Sequence, residues 1–199
     1  GISDPVITIQ KLLHDHPLYE VINPGETDIH VLVIGSGTYG QKFIDQCLQA
    51  GQMKGYTLHI HAVSDTPEVD LESYLQFRPA ISKFVDINGS LKSDKERSYG
   101  TIVFETLKEA AGNPSEETSF RFRKVKSGSA GAAEKENNEI ISEIIANAVE
   151  NEMVYDYIFV ALGDDCTNYS IAKCFSDTLI GWKMEIICPV CFISENGKK

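Results

Sequence analysis

The chain has 199 residues and an ordinary globular composition, 42% hydrophobic and 24% charged, with a formal net charge of -11 at pH 7. This length predicts one domain with a full core, and the acidic balance argues against nucleic acid and anionic membranes as partners. No apolar stretch is long enough to span a bilayer, no secretory signal is recognisable, and five irregularly spaced cysteines favour a reducing cytoplasm.

The first half of the chain predicts a β-α-β unit. Residues 1–28 carry one short apolar patch and end in the turn signal NPGETD, so we expect an N-terminal extension that packs on the edge of the domain. IHVLVI at 29–34 predicts a buried strand, and the apolar spacing after Gly35 predicts a helix that ends near Gly51. YTLHIHAV at 56–63 predicts a second strand parallel to the first.

The second half predicts the rest of a parallel sheet. Residues 66–118 mix strand and helix signals and are interpreted as an insertion, and the alternating SFRFRKV at 119–125 predicts the third strand. YDYIFVALG at 155–163 and MEIICPVCFIS at 184–194 predict two more strands, each preceded by a helix. We therefore expect an α/β fold over residues 29–194: a doubly wound, Rossmann-like parallel sheet of order 3-2-1-4-5 with an insertion after strand 2.

The glycine motif GSGTYG at 35–40 is the strongest functional signal. Gly35 suits the tight turn out of the strand, Gly37 lets a pyrophosphate approach the backbone, and Gly40 lets the helix pack closely on the strand. The helix N-terminus then offers free N–H groups and a partial positive charge. A P-loop is excluded, because Gly40 is followed by Gln41, Lys42 and Phe43 rather than by Lys and Ser or Thr.

Two further segments are expected at the same crevice. Asp65 ends the second strand, where an acidic residue holds the ribose hydroxyls of NAD and repels the 2′-phosphate of NADP. GDDCTN at 163–168 follows the strand next to the first one, so it should face the glycine motif. Asp164 and Asp165 are expected to cap the following helix, to face the ligand, or to do both, since capping would fix the loop that lines the crevice. The predicted binding residues are Gly35, Ser36, Gly37, Thr38, Tyr39, Gly40, Asp65, Gly163, Asp164, Asp165 and Asn168.

Other reactive side chains are given structural interpretations. Cys188 and Cys191 form a C-x-x-C within a predicted strand and lack a second ligand pair, so we predict that they bind no metal. His59 and His61 share one face of the second strand, which indicates a half-solvated face. His14 and His16 are expected in an exposed turn. We assign no catalytic residue.

The segments HVLVIGSGTYGQKFIDQCLQAG, with Asp65 after the second strand, and YDYIFVALGDDCTNYSIAKCF resemble the TrkA-N type (RCK- or KTN-like) nucleotide-binding domain of potassium-uptake regulators. The resemblance covers roughly residues 29–65 and 119–193, with Asp165 and Asn168 in the family's Asp-x-x-Asn element. It implies that NAD(H) or another adenine nucleotide is bound for sensing rather than for reaction. Potassium transport does not follow from it.

Three functions stay open. A nucleotide-binding regulatory module is favoured. An NAD(P)-dependent oxidoreductase would need a substrate domain and a placed acid or base. A ThiF-like or ubiquitin-activating type of adenylating enzyme starts with the same motif, and Arg78 fits it, but that chemistry needs several arginines around ATP. Because the predicted sheet has an open edge, we also expect a homodimer or a neighbouring domain in a larger protein.

Overall fold

A parallel β-sheet with helices on both faces organises the chain in the computed structural model, which describes residues 4–21, 25–51, 55–89, 100–114, 120–128, 131–181 and 190–193. The strands are β1 (Asp28–Ile34), β2 (Thr57–Val63), β3 (Asp86–Ile87), β4 (Gly100–Glu105), β5 (Tyr157–Val160) and β6 (Val190–Phe192). The helices are α1 (Pro5–Asp15), α2 (Thr38–Ala50), α3 (Pro67–Gln76), α4 (Leu107–Ala110), α5 (Ala132–Glu150) and α6 (Asp165–Gly181).

The sheet has the order β3-β4-β2-β1-β5-β6, and all of its pairings are parallel. With β4 as the third strand, the five strands from β4 to β6 follow the predicted order 3-2-1-4-5. The doubly wound, Rossmann-like fold is therefore confirmed.

Two apolar cores lie on opposite faces of this sheet. Val31 and Val33 of β1 belong to the first core, with buried residues of α1, α2 and α3. Leu32 and Ile34 belong to the second core, with α4, α5 and α6. Because both faces of β1 are covered, its sequence is a nearly continuous apolar run, as is typical of central parallel strands.

The third strand lies elsewhere in the chain than predicted. Residues 120–126 form no strand; β4, from within 66–118, pairs with β2 instead. The segment is irregular, and its backbone bonds to helix side chains: the Arg123 backbone N–H donates to Asn137 Oδ1 at 2.7 Å, and that of Val125 donates to Thr167 Oγ1 at 2.9 Å. An alternating sequence pattern is therefore compatible with a partly buried segment that has no neighbouring strand.

The N-terminal segment contributes a helix that the sequence analysis did not predict. Asp4 caps α1 by accepting the Val6 N–H at 2.8 Å, and Pro5 begins the helix. Ile9 is fully buried in the first core, where α1 packs against α2. The His14 side chain is exposed in the last turn of this helix rather than in a separate turn.

Within the described residues, no helix is long and apolar enough to cross a membrane.

Candidate nucleotide-binding site at the carboxyl ends of the strands

The glycine loop, residues 35–40, connects β1 to α2 and adjoins the loop after β5. The Ala161 N–H donates to Ile34 O at 2.8 Å, and a Cβ on Gly35 would overlap the Ala161 carbonyl. Gly35 also has φ +99°, which favours glycine. A Cβ on Gly40 would overlap the Gly35 carbonyl. The predicted proximity of the two loops is confirmed, and packing alone explains these two glycines.

Gly37 is different, because neither packing nor backbone conformation requires a glycine there. Its φ is -79°, a Cβ added to it would have no neighbouring atom within 4 Å, and the residue is exposed. It is the N-cap of α2, a position that favours Ser, Thr, Asp, Asn or Gly. Thr38 is also exposed, whereas Tyr39 is half-buried against the first core.

The N-terminus of α2 consequently has no side-chain cap. Asp4 caps α1, Thr106 caps α4 with a full capping box, and Asp164 caps the first turn of α6, whereas α3 and α5 resemble α2 in having no side-chain cap. At α2 the backbone N–H groups of the first turn point out of a helix whose cap residue has no side chain. An anionic group that reached Gly37 could accept these N–H groups.

Asp70, which the sequence analysis did not single out, lies at the glycine loop. Its Oδ2 accepts the hydroxyl of Ser36 at 2.6 Å and that of Ser64 at 2.5 Å. Ser36 is 1% exposed, so its side chain faces Asp70 and not the solvent. Asp65, the predicted ribose ligand, is exposed and forms no side-chain hydrogen bond with the described residues. We call the Ser36–Asp70–Ser64 contact the serine bridge.

A second polar network, formed by Gln41, Arg78 and Asp45, contacts the glycine loop through the Ser36 carbonyl. Gln41 Nε2 donates to Ser36 O at 3.1 Å, and Arg78 Nη1 donates to Gln41 Oε1 at 3.4 Å. Arg78 forms two 2.6 Å hydrogen bonds with Asp45, and its guanidinium lies 4.2 Å from the centre of the Tyr74 ring. Burial, followed by the Asp45 charge, raises the pKa of Tyr74. Arg78 is thus held inside the fold.

The loop after β5 lies beside the glycine loop. Gly163 is exposed, with open space at its Cβ position. Asp164 Oδ2 accepts the Thr167 N–H at 2.9 Å and its hydroxyl at 2.6 Å, and these bonds lower the pKa of Asp164. Of the two interpretations of Asp164, capping is the one that the structure shows. Asp165 is half-exposed in the first turn of α6.

Asn168 fixes this loop instead of facing the crevice. The side chain is 1% exposed. Its Oδ1 accepts the Leu162 N–H at 2.7 Å, while Nδ2 donates to Leu162 O at 2.9 Å and to Ile193 O at 3.0 Å. Asn168 therefore ties α6 to the ends of β5 and β6.

The two histidines of β2, His59 and His61, meet His30 of β1. His30 Nδ1 and His61 Nε2 are 3.4 Å apart, and the His30 and His59 rings stack with centroids 4.7 Å apart. His59 contacts Asp28 and Thr101, each at 2.8 Å.

In the part of the chain that the structure describes, no group of three or more His, Cys, Asp or Glu residues is arranged to hold a metal ion. Cys188 lies outside the described residues.

A cleft of about 330 Å³ lies beside α6, away from the glycine loop. It is bordered by residues 125–128 and by α6, and its charged lining residues are Lys126, Lys173, Glu134 and Asp177. Because two cations and two anions line it, its charge selects no particular ligand.

No protein-family model matches this chain, and a comparison with curated proteins finds no match. The resemblance to TrkA-N type domains thus stays a prediction from the sequence motifs.

Proposed function

We propose that the chain binds NAD or another adenine nucleotide between the glycine loop and the loop after β5, as a regulatory or sensing module. The observation that carries the proposal is Gly37. No packing contact and no backbone angle requires glycine there, and the missing side chain leaves an uncapped helix N-terminus open to the outside. A phosphate group could approach the backbone at this position and accept the free N–H groups.

In the proposed binding mode, two glycines have a packing role and two leave room for the ligand. Gly35 and Gly40 hold the loop and α2 in place, because a Cβ at either position would overlap backbone. Gly37 admits the pyrophosphate to the N–H groups of α2, and Gly163 leaves room on the opposite side. The Ser36 hydroxyl already donates to Asp70, so the phosphate contacts come from the backbone.

Binding without chemistry is favoured by how the nearby polar side chains are used. Asp164 caps α6, Asn168 bonds three backbone groups, and Arg78 is paired with Asp45. The engagement of Arg78 also weakens the adenylation alternative, which needs arginines that are free to contact ATP.

Isothermal titration calorimetry with NAD, NADH, NADP, ATP and AMP tests the proposal. Gly37→Val should abolish nucleotide binding, because the added side chain fills the approach to the N–H groups. Gly131→Val is the matched control: Gly131 is also an N-cap without a side-chain bond and with open space around it, at the start of α5. This control should bind like the wild type.

Two outcomes would contradict the proposal. One is the absence of binding for all five nucleotides. The other is equal binding by wild type and Gly37→Val, which would place the nucleotide elsewhere. Sustained reduction of NAD with a panel of alcohols and hydroxy acids would replace the regulatory role with an oxidoreductase.

A further inference from the structure

The serine bridge places one carboxylate between the ends of β1 and β2. Ser36 lies in the glycine loop after β1, and Ser64 directly follows β2. Asp70 comes from α3 and accepts both hydroxyls on the same oxygen, Oδ2. Its carboxylate is consequently fixed relative to the two strand ends that border the proposed nucleotide site.

Both serine hydroxyls are occupied by this contact. A serine hydroxyl has a single proton, and here each one is donated to Asp70. Neither hydroxyl can donate to a phosphate unless the bridge breaks. What this position offers to a ligand is instead a negatively charged acceptor, because Oδ1 forms no hydrogen bond with the described residues.

Asp65 lacks the features that a selective acceptor needs. It is exposed and has no side-chain hydrogen bond among the described residues, so nothing fixes its orientation. Water screens an exposed charge and weakens both its attraction for a hydroxyl and its repulsion of a phosphate. Asp70 is half-buried and held by two hydrogen bonds of 2.6 Å or less.

We propose that Asp70, and not Asp65, is the residue that determines which sugar the site accepts. Its carboxylate takes a hydrogen bond from a free ribose hydroxyl and repels a 2′-phosphate. The site then selects nucleotides with an unmodified ribose, NAD over NADP. This inference rests on the proposed function.

The test compares two isosteric substitutions that each remove one negative charge. Asp70→Asn keeps an acceptor for the serine hydroxyls, and Asp65→Asn is the matched control five residues earlier. Both variants are first checked for wild-type melting. NAD and NADP affinities are then measured by calorimetry at one fixed salt concentration, since the repulsion depends on salt.

Asp70→Asn should reduce the preference for NAD over NADP about tenfold or more, because a charged hydrogen bond is lost and a repulsion is removed. Asp65→Asn should change this preference less than about threefold, as expected for a screened charge. The inference would be overturned if only Asp65→Asn lost the preference for NAD over NADP, or if both variants kept it. In either case the proposal of nucleotide binding would stand. A wild type that binds no nucleotide would instead overturn the proposed function, and the inference with it.

Discussion

The polar side chains at the two ends of the sheet differ in their chemistry and in their partners. At the carboxyl ends, side chains bond to backbone or to hydroxyls: Asn168 holds the loop after β5, and Asp70 holds two serines. At the amino ends, the His30 and His59 rings stack and His59 contacts Asp28, while Asp156 Oδ2 accepts the backbone N–H of His30 at 2.9 Å.

This difference separates two properties of the molecule. At the carboxyl ends, loops held by hydrogen bonds adjoin the uncapped N–H groups of α2, which suits ligand binding at fixed geometry. At the amino ends, burial lowers the pKa of His30 and raises that of Asp156, so that end makes stability depend on pH. Predictions about the first end concern geometry, and those about the second concern protons.

The largest effect is expected from Gly40→Ala. Alanine favours a helix interior over glycine by about 1 kcal/mol, but here its Cβ would overlap the Gly35 carbonyl, which is backbone and cannot rotate away. We expect a net loss of about 3 kcal/mol or more in the free energy of unfolding, measured by urea denaturation. Gly163→Ala, with open space around it, should change stability by less than about 1 kcal/mol. Equal stability of both variants would show that the loop can move aside.

A smaller loss is expected from Asn168→Ala. The substitution leaves the Leu162 N–H and the carbonyls of Leu162 and Ile193 without their partner in a buried place. The expected cost is about 2–3 kcal/mol by urea denaturation. Asn138→Ala removes only an exposed 3.4 Å contact with Thr178 and should cost less than about 0.5 kcal/mol. If Asn168→Ala were as stable as this control, water would be replacing the lost bonds.

The elements with strong local signals were predictable from sequence. The apolar run of β1, the glycine motif and the apolar spacing of α2 are local features, and the structure confirms the elements that they predicted. The sequence predicted that residues 119–125 form the third strand, whereas β4 takes that place in the sheet. This was not predictable, because the alternation of apolar and polar residues does not show whether a segment bonds to a strand or to side chains such as Asn137 and Thr167. Strand pairing depends on residues far apart in the chain, and the local sequence of neither segment indicates which strand it pairs with.

The candidate site shows the same limit. The glycines and the start of α6 were found from spacing. Asp70 was missed because an acidic residue in the first turn of a helix is common and usually serves the helix dipole. Asn168 was assigned to the ligand because its type and position fit, whereas its three backbone partners appear only in the folded chain.

At the amino ends, the pKa values of two neighbouring groups, His30 and Asp156, are shifted in opposite directions. Burial, with the charges of His59 and His61, lowers the pKa of His30 from 6.5 to about 4. Burial, with the nearby Glu26 carboxyl, raises the pKa of Asp156 from 3.8 to about 7. Below pH 6.5 the unfolded chain binds the His30 proton more readily than the folded chain, so this contribution to stability falls as pH falls. For Asp156 the folded chain binds the proton more readily, so its contribution falls as pH rises.

Other charged groups around the pair belong to several elements. Asp28 contacts His59 and partly opposes the lowering at His30, Glu105 lies 3.7 Å from His61, and the Tyr155 ring packs edge-on against His61. Between about pH 4 and 6.5 the contributions of His30 and Asp156 oppose each other, so their sum should depend little on pH. Substituting one of them should reveal the other.

Asp156→Asn and His30→Gln test this compensation, with urea denaturation at intervals from pH 4.5 to 6.5. Asp156→Asn removes the contribution that falls with rising pH, so the variant should gain stability relative to wild type as pH rises. His30→Gln should lose stability relative to wild type over the same range. One proton per molecule corresponds to about 1.4 kcal/mol per pH unit, and the partial exposure of His30 reduces the expected slopes to about 1 kcal/mol per pH unit or less. His14→Gln, at an exposed position, should stay parallel to wild type. Parallel curves for all three variants would show that His30 and Asp156 keep ordinary pKa values in the folded chain.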